Sequence, residues 1–233
     1  MDSTNRYALA NFAELADAAL ILANEQTSGH GRRGRKWLSP PGNIYASFIV
    51  KKALLPAQLT FIGALSSLQT LREYAPALQF WVKWPNDVYV KSQKIAGVLS
   101  EIHSPEKSNK TDGAVIGMGI NLNTDKEFFA VEKVPGTSIF AEIAKIVDIE
   151  KFTGTLLDNL KNLYHESLIN SAGIYELWKK ENILIGKEIE IIQESGDNVK
   201  GIFKDIDSNG SLILQLPDGS AQNFHSGEVS VKI

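Results

Sequence analysis

Residues 79–97 read Gln79-Phe80-Trp81-Val82-Lys83-Trp84-Pro85-Asn86-Asp87-Val88-Tyr89-Val90-Lys91-Ser92-Gln93-Lys94-Ile95-Ala96-Gly97. Residues 79–83 form a short β-prone run, Pro85-Asn86-Asp87 is a turn signal that stops it, and residues 88–90 and 95–101 resume as strands. Pro85 holds Trp84 extended and cannot donate to a sheet, so Lys83, Asn86 and Asp87 collect at a strand end. Ligand sites of α/β folds gather at such ends. The turn residues by themselves favour an ordinary solvated turn. Lys94 shifts the balance: it stands at the mouth of the apolar run Ile95-Ala96-Gly97-Val98-Leu99, where its ammonium could reach an anionic reactant.

Working outward, residues 59–74 read as a helix, 44–50 as a strand and 19–23 as a short buried strand. Ser3 or Thr4 can cap a first helix whose apolar positions include Tyr7, Leu9, Phe12 and Leu15. Downstream, residues 114–121 form another strand, and Phe152, Leu156, Leu160 and Leu163 give a helical stripe that continues toward Trp178. This mixture of strands and helices predicts an α/β domain ending near Ile183. From Gly186 the character changes to short β-branched runs separated by turn residues at 195–198, 207–210 and 217–219, which predicts a small C-terminal β-barrel of SH3-like size. The expected domains are therefore residues 1–183 and 184–233.

Composition narrows the chemistry. The chain has 233 residues, enough to bury a real core, and a formal net charge of -3, which argues against a surface built throughout for nucleic acid. It has no cysteine, so disulfides, cysteine-bound zinc and an acyl-thioester intermediate are excluded. The apolar run at residues 18–23 is far short of a membrane span, and Asp2, Arg6, Glu14 and Asp17 interrupt any signal-peptide pattern. The expected setting is the cytoplasm, away from membranes.

A second informative segment is Gln26-Thr27-Ser28-Gly29-His30-Gly31-Arg32-Arg33-Gly34-Arg35-Lys36-Trp37. Gly29, Gly31 and Gly34 let backbone approach a ligand, while Arg32, Arg33 and Arg35 bring planar donor forks suited to carboxylate or phosphate. Taken alone, this loop is as compatible with a flexible basic surface as with anion binding. It is not a P-loop, because no Gly-Lys-Ser/Thr follows at the required spacing. The third segment, Gly117-Met118-Gly119-Ile120-Asn121-Leu122-Asn123, is an apolar strand whose glycines most often mean close backbone packing, with ligand approach the lesser reading. Asn121 could meet a base edge. His103, His165 and His225 show no metal-ligand spacing.

With these three segments in this order along nearly the whole chain, the sequence resembles the biotin–protein ligases. The Gly-Xaa-Gly-Arg-Arg-Gly-Arg-Lys-Trp loop, the Lys-Trp-Pro-Asn-Asp turn with Lys-Xaa-Ala-Gly after it, the Gly-Ile-Asn strand and the small C-terminal β-domain with Gly227-Glu228-Val229-Ser230 all fit that family. His30 departs from it, since the loop usually carries arginine there. The chain also begins almost directly at Asp2-Ser3-Thr4-Asn5, without the strand that commonly precedes this segment or the winged-helix DNA-binding domain of some relatives.

The resemblance implies a class II synthetase-like mixed sheet with helices, followed by the SH3-like barrel. It implies that Ser3, Thr4 and Gln26 hold the ureido ring of biotin, with Asn5, His30, Trp37 and Gly97 shaping that side and Gly29 and Gly31 offering backbone amides. Arg32 and Lys94 would face the reacting carboxylate. On the ATP side it implies Arg32, Arg33, Arg35, Lys83, Asn86, Asn121 and Lys232, with Asp87 near the incoming lysine. The catalytic set is Lys94, Arg32 and Asp87, with no protein-held metal. ATP, Mg²⁺ and biotin are the implied small molecules, and the implied partner is the biotin carboxyl carrier domain of a carboxylase, with no nucleic acid or membrane. Whether the ligase works as a monomer or a homodimer stays open.

The resemblance also supplies the chemistry: attack of a carboxylate on the α-phosphorus of ATP, an anion meeting an anion, is helped mainly by positioning and by cationic side chains. Two other functions compete. A lipoate ligase shares the acyl-adenylate logic but not the Lys-Trp-Pro-Asn-Asp turn or the arginine-rich loop. A nucleic-acid-binding regulatory module would use the 32–36 loop and bind in a salt-dependent way without ATP.

Overall fold

A computed structural model describes residues 1–52, 54–105, 111–193, 197–225 and 227–230. Its first half is built on a six-stranded sheet of β1 (Leu20–Ala23), β2 (Ile44–Val50), β3 (Phe80–Lys83), β4 (Asp87–Val90), β5 (Gln93–His103) and β6 (Gly113–Ile120). The strand order is β1-β2-β6-β5-β4-β3, and every neighbouring pair is antiparallel.

Strand alternation decides which face does what. Ile44, Ala46, Phe48 and Val50 of β2, Ala96 and Val98 of β5, and Ala114, Ile116, Met118 and Ile120 of β6 join the main core. The helices α2 (Pro56–Tyr74), α5 (Ile149–Ile169) and α6 (Ser171–Lys180) supply its other wall. Gly63 is the point of closest approach: a Cβ there would stand 2.7 Å from Ile116 and 2.8 Å from Val98. The opposite face carries α1 (Thr4–Ala10) and a smaller cluster of Ala8, Phe12, Ile49 and Val115. On that face β5 and β6 present Gly97, Leu99, Gly117 and Gly119, in register as Gly97↔Gly119 and Leu99↔Gly117. A floor nearly without side chains results.

Several expectations need correction. The first helix stops at Ala10 and buries Thr4, Asn5 and Ala8, while Tyr7 is exposed; Phe12 packs only after the chain has turned. Strand β1 is an edge strand with Leu22 exposed, not a buried one. The long helical stripe is two helices, broken at Asn170, whose side chain accepts from the Gly173 N–H and starts α6. The short helices α3 (Lys126–Val131) and α4 (Ile139–Ile143) lacked any periodic signal to announce them. Among the described residues no helix is long and apolar enough to cross a membrane.

The C-terminal strands β7 (Glu188–Ile192), β8 (Asn198–Ile206), β9 (Leu212–Gln215), β10 (Ala221–Phe224) and β11 (Glu228–Ser230) form one antiparallel sheet in the order β10-β9-β8-β7-β11. It has the size expected of the barrel, but among the described residues it is not closed, β10 and β11 being its two edges. The turn signals at Asp207 and Pro217 fall where expected, while residues 195 and 196 lie outside the described residues. The sheet is fixed to the rest of the molecule by buried Trp84, whose indole N–H donates to the Gly210 carbonyl at 2.9 Å. Gly210, at φ +77°, lies against Ala57 at the start of α2.

Glu142 of α4 shows how the loops are held. Its carboxylate is buried, 2.6 Å from Lys91 Nζ, and accepts from the Thr137 hydroxyl at 2.8 Å. Burial alone would raise its pKa, but the hydrogen bonds from Lys91 and Thr137 outweigh this and hold it below the ordinary value. A depressed folded-state pKa gives stability that is complete above the unfolded value and is lost as pH falls through the folded one. Glu142→Gln should therefore lower stability by about 1–3 kcal/mol at neutral pH. The difference in Tm between wild type and variant should shrink as pH drops below 4.5, the ordinary glutamate value. A difference that persists unchanged at acid pH would refute this.

Candidate active site

A cleft of about 290 Å³ opens over the glycine floor. Its walls are the N-terminus of α1, the loop from His30 to Leu38, the turn Trp84-Pro85-Asn86-Asp87, the segment Val134-Pro135-Gly136, and Gly227-Glu228-Val229 of the C-terminal sheet. Of the residues singled out from sequence, Ser3, Thr4, Asn5, Gln26, His30, Gly31, Arg32, Arg33, Arg35, Trp37, Lys83, Asn86, Asp87, Lys94, Gly97 and Asn121 line this one cleft. Gly29 does not line it: this residue is buried beneath the loop, where a Cβ would lie 2.6 Å from the Trp37 carbonyl oxygen and 2.7 Å from Ser39 Oγ. Lys232 lies outside the described residues.

One end of the cleft is polar and neutral. Ser3 caps α1, and Gln26 Oε1 accepts from both the Thr4 backbone N–H at 2.8 Å and the Thr4 hydroxyl at 3.2 Å. Asn5 lies flat on Gly117, where a Cβ would approach its Oδ1 to 2.2 Å. The middle is cationic. Lys94 Nζ is 2.6 Å from Asp87 Oδ1 and 5.2 Å from the centroid of the Trp37 ring, and its chain lies across Gly97, where a Cβ would meet Lys94 Nζ at 2.9 Å. Arg32 Nη1 donates to Asn86 Oδ1 at 3.4 Å, and Asn86 is held to β5 by its own donation to the Val98 carbonyl at 2.6 Å. The Trp37 Nε1–H is buried on the same floor without a hydrogen-bond partner.

The far side joins more charge to aromatic surface. Lys83 donates to the Tyr89 hydroxyl at 3.2 Å, and burial pushes its pKa down while Asp87 and Glu228 oppose the shift. Burial pushes the Tyr89 phenol up, so it stays neutral. Arg35 donates to Glu228, which holds that carboxyl below its ordinary value and raises the arginine's. Asn121 is tied to the 134–137 segment by donating to the Thr137 carbonyl at 3.0 Å, and Phe128 and Phe129 of α3 stand close by on the cleft wall.

The expectation that Gly31 offers its backbone amide to a ligand is corrected, because that N–H donates to the Arg35 carbonyl at 2.7 Å within the loop. Sequence reasoning did not single out Glu228, Tyr89, Phe128 and Phe129, which line the cleft as well. Only Glu228 carried a usable signal, as the charged residue of the Gly227-Glu228-Val229-Ser230 motif.

The cleft thus joins a polar hydrogen-bonding end to a middle lined by Lys94 and Arg32 and a wall that includes Tyr89, Phe128 and Phe129. The chain belongs to the biotin/lipoate A/B protein ligase family, whose model matches residues 1–121, and a biotin protein ligase C-terminal domain matches residues 184–232. Within the family it is similar to the biotin–[acetyl-CoA-carboxylase] ligase of Paracoccus denitrificans, with 34% identity over 225 residues, 94% of this chain and 92% of that one. It is 31% identical to the bifunctional ligase/repressor BirA of Escherichia coli, covering 100% of this chain and 72% of that protein. Among solved structures, the biotin protein ligase of Aquifex aeolicus in complex with biotin and ATP superposes with a TM-score of 0.80 at 26% identity, covering 98% of this chain and 94% of that one.

Proposed function

We propose that this biotin–protein ligase works through the residues gathered in the cleft. The carboxylate of biotin attacks the α-phosphorus of ATP, a P–O bond breaks, pyrophosphate leaves and biotinyl-5′-AMP remains. A neutral lysine amine of the carrier protein then attacks the acyl carbon, an amide forms, and AMP departs with the bonding electron pair of the anhydride. The observation that carries this reading is the Lys94–Asp87 pair at 2.6 Å on the Gly97–Gly119 floor, in the same cleft as the polar pocket and the arginine loop.

In this reading Ser3, Thr4, Asn5 and Gln26 hold the ureido ring, and Trp37 with Gly97 shapes the passage to the carboxylate. Lys94 and Arg32 offset the charge that two anions bring together in a partly dry site. Lys83, Arg33, Arg35, Asn86 and Asn121 take the nucleotide side, and Asp87 orients the incoming ammonium and helps remove its proton. His30 lies 3.7 Å from Glu101, so its side chain belongs to the rim of the polar pocket.

Mg²⁺ belongs to the proposal as a companion of ATP. Among the described residues no group of three histidine, cysteine, aspartate or glutamate side chains is placed to hold a metal ion. The proposed protein substrate is a biotin carboxyl carrier domain, the proposed compartment is the cytoplasm, and the proposed division into a catalytic and a C-terminal domain falls between residues 183 and 184. We expect no specific DNA binding, in keeping with the net negative charge. The test is incorporation of labelled pyrophosphate into ATP by the purified protein. Exchange that depends on biotin is expected; exchange that depends on lipoate instead would overturn the reading.

A further inference from the structure

On the cleft-facing side of β5, two residues beyond Leu99, stands Glu101, outside the residues that line the cavity. Asn5 Nδ2 donates to Glu101 Oε2 at 2.7 Å and to the Leu99 carbonyl at 3.1 Å. Asn5 Oδ1 accepts from the Ser47 hydroxyl at 2.5 Å. Both amide hydrogens of Asn5 are thus spent on the sheet, and what remains to a ligand is the second lone pair of Oδ1. Turning the amide over would set its oxygen against two acceptors, one of them a carboxylate, so the orientation is enforced. Neighbouring Thr4 is arranged alike, its hydroxyl hydrogen given to Gln26 Oε1 at 3.2 Å. This wall of the pocket offers acceptors, and a ureido ring brings two N–H donors to meet them.

We propose that Glu101 is a positioning residue for biotin. Its carboxylate accepts from the Asn5 amide and fixes that side chain as an acceptor toward the ureido N–H, without touching the ligand. The same oxygen lies 3.7 Å from His30 Nε2, which ties the arrangement to the start of the glycine–arginine loop. The inference rests on the reading that the ureido ring sits beside Asn5.

The experiment measures pyrophosphate exchange for Glu101→Ala, Glu101→Gln, Asn5→Ala and the double variant Asn5→Ala/Glu101→Ala, with KM for biotin and for ATP determined separately and Tm recorded. Losing one hydrogen bond that orders the pocket should raise the biotin KM of Glu101→Ala roughly tenfold, with the ATP KM unchanged. Glu101→Gln keeps an acceptor for the Asn5 amide and should restore most of the loss. In the Asn5→Ala background Glu101→Ala should add nothing, because its effect passes through Asn5. If Asn5→Ala leaves the biotin KM untouched, the placement of the ureido ring is wrong. If Asn5→Ala raises it but Glu101→Ala does not, the ring is well placed and the role of Glu101 is overturned. Parallel losses in biotin KM, ATP KM and Tm would mark a merely structural contact and overturn it as well.

Discussion

Lys94→Ala should lower the rate of adenylate formation by about 10²–10³-fold, the scale seen when one preorganised charge-stabilising donor is removed. The effect is large because the substitution does more than subtract a cation. Asp87 loses its 2.6 Å partner, so a balanced pair becomes a fixed negative charge in a cleft that must admit a carboxylate and a triphosphate. Folding should survive, since Lys94 is partly exposed and its neighbours on β5, Ile95 and Ala96, carry the packing. Adding Asp87→Asn should recover part of the first half-reaction by removing the stranded carboxylate, while leaving transfer to the carrier impaired. Exchange within a few-fold of wild type in a Lys94→Ala protein of unchanged Tm would remove Lys94 from the reaction.

What could be read from sequence divides along the range of the contacts. The turn at Pro85-Asn86-Asp87 and the strands on either side were legible because proline and asparagine act locally on the backbone. Strand β2 was legible to the residue, its apolar run being bounded by Gly42-Asn43 and Lys51. The break at Asn170 was written in a good capping residue, yet the apolar phase continues across it into α6 and concealed it. Helices α3 and α4, six and five residues long, are too short for any period to appear. Closure of the C-terminal sheet is a matter of edge pairing, about which a run of hairpin turns says nothing.

The site shows the same division. Its arginines, Lys94 and Asn121 stood out as charged or polar residues in segments of unusual composition, and the fold brings them together. Glu101 looked like an ordinary surface glutamate, because its partner Asn5 lies 96 residues away in the chain, and the motif that holds Glu228 gave no sign of its partner Arg35, 193 residues away. The glycines of β6 were read as marks of close backbone packing. What packs on them, however, is not backbone but the side chains of Asn5 and Trp37, both from distant segments.

Gly119→Ala should accordingly disable the site from beneath, lowering kcat/KM for biotin by about 10²-fold, as a misplacement of an ångström can. An added Cβ would fall 2.3 Å from Trp37 Cε2, 2.5 Å from Nε1 and 2.6 Å from Cζ2, three atoms of a rigid ring that cannot bend aside. The indole must lift or slide as a unit. It cannot do so alone: the Trp37 backbone N–H donates to the Gly29 carbonyl at 2.9 Å, and the Lys94 ammonium lies 5.2 Å from the ring centroid. Displacing the ring therefore disturbs both the glycine–arginine loop and Lys94, the cation proposed to assist adenylation. Gly119 is not among the glycines held at positive φ, so the backbone itself tolerates alanine and the effect is one of volume, with an overpacking cost of about 1–3 kcal/mol. Trp37→Ala opens the space that the new methyl group needs, so the Tm loss caused by Gly119→Ala should largely disappear in the double variant, a coupling that a double-mutant cycle measures. A Gly119→Ala enzyme with wild-type biotin KM and Tm would mean that the ring does not rest on this strand.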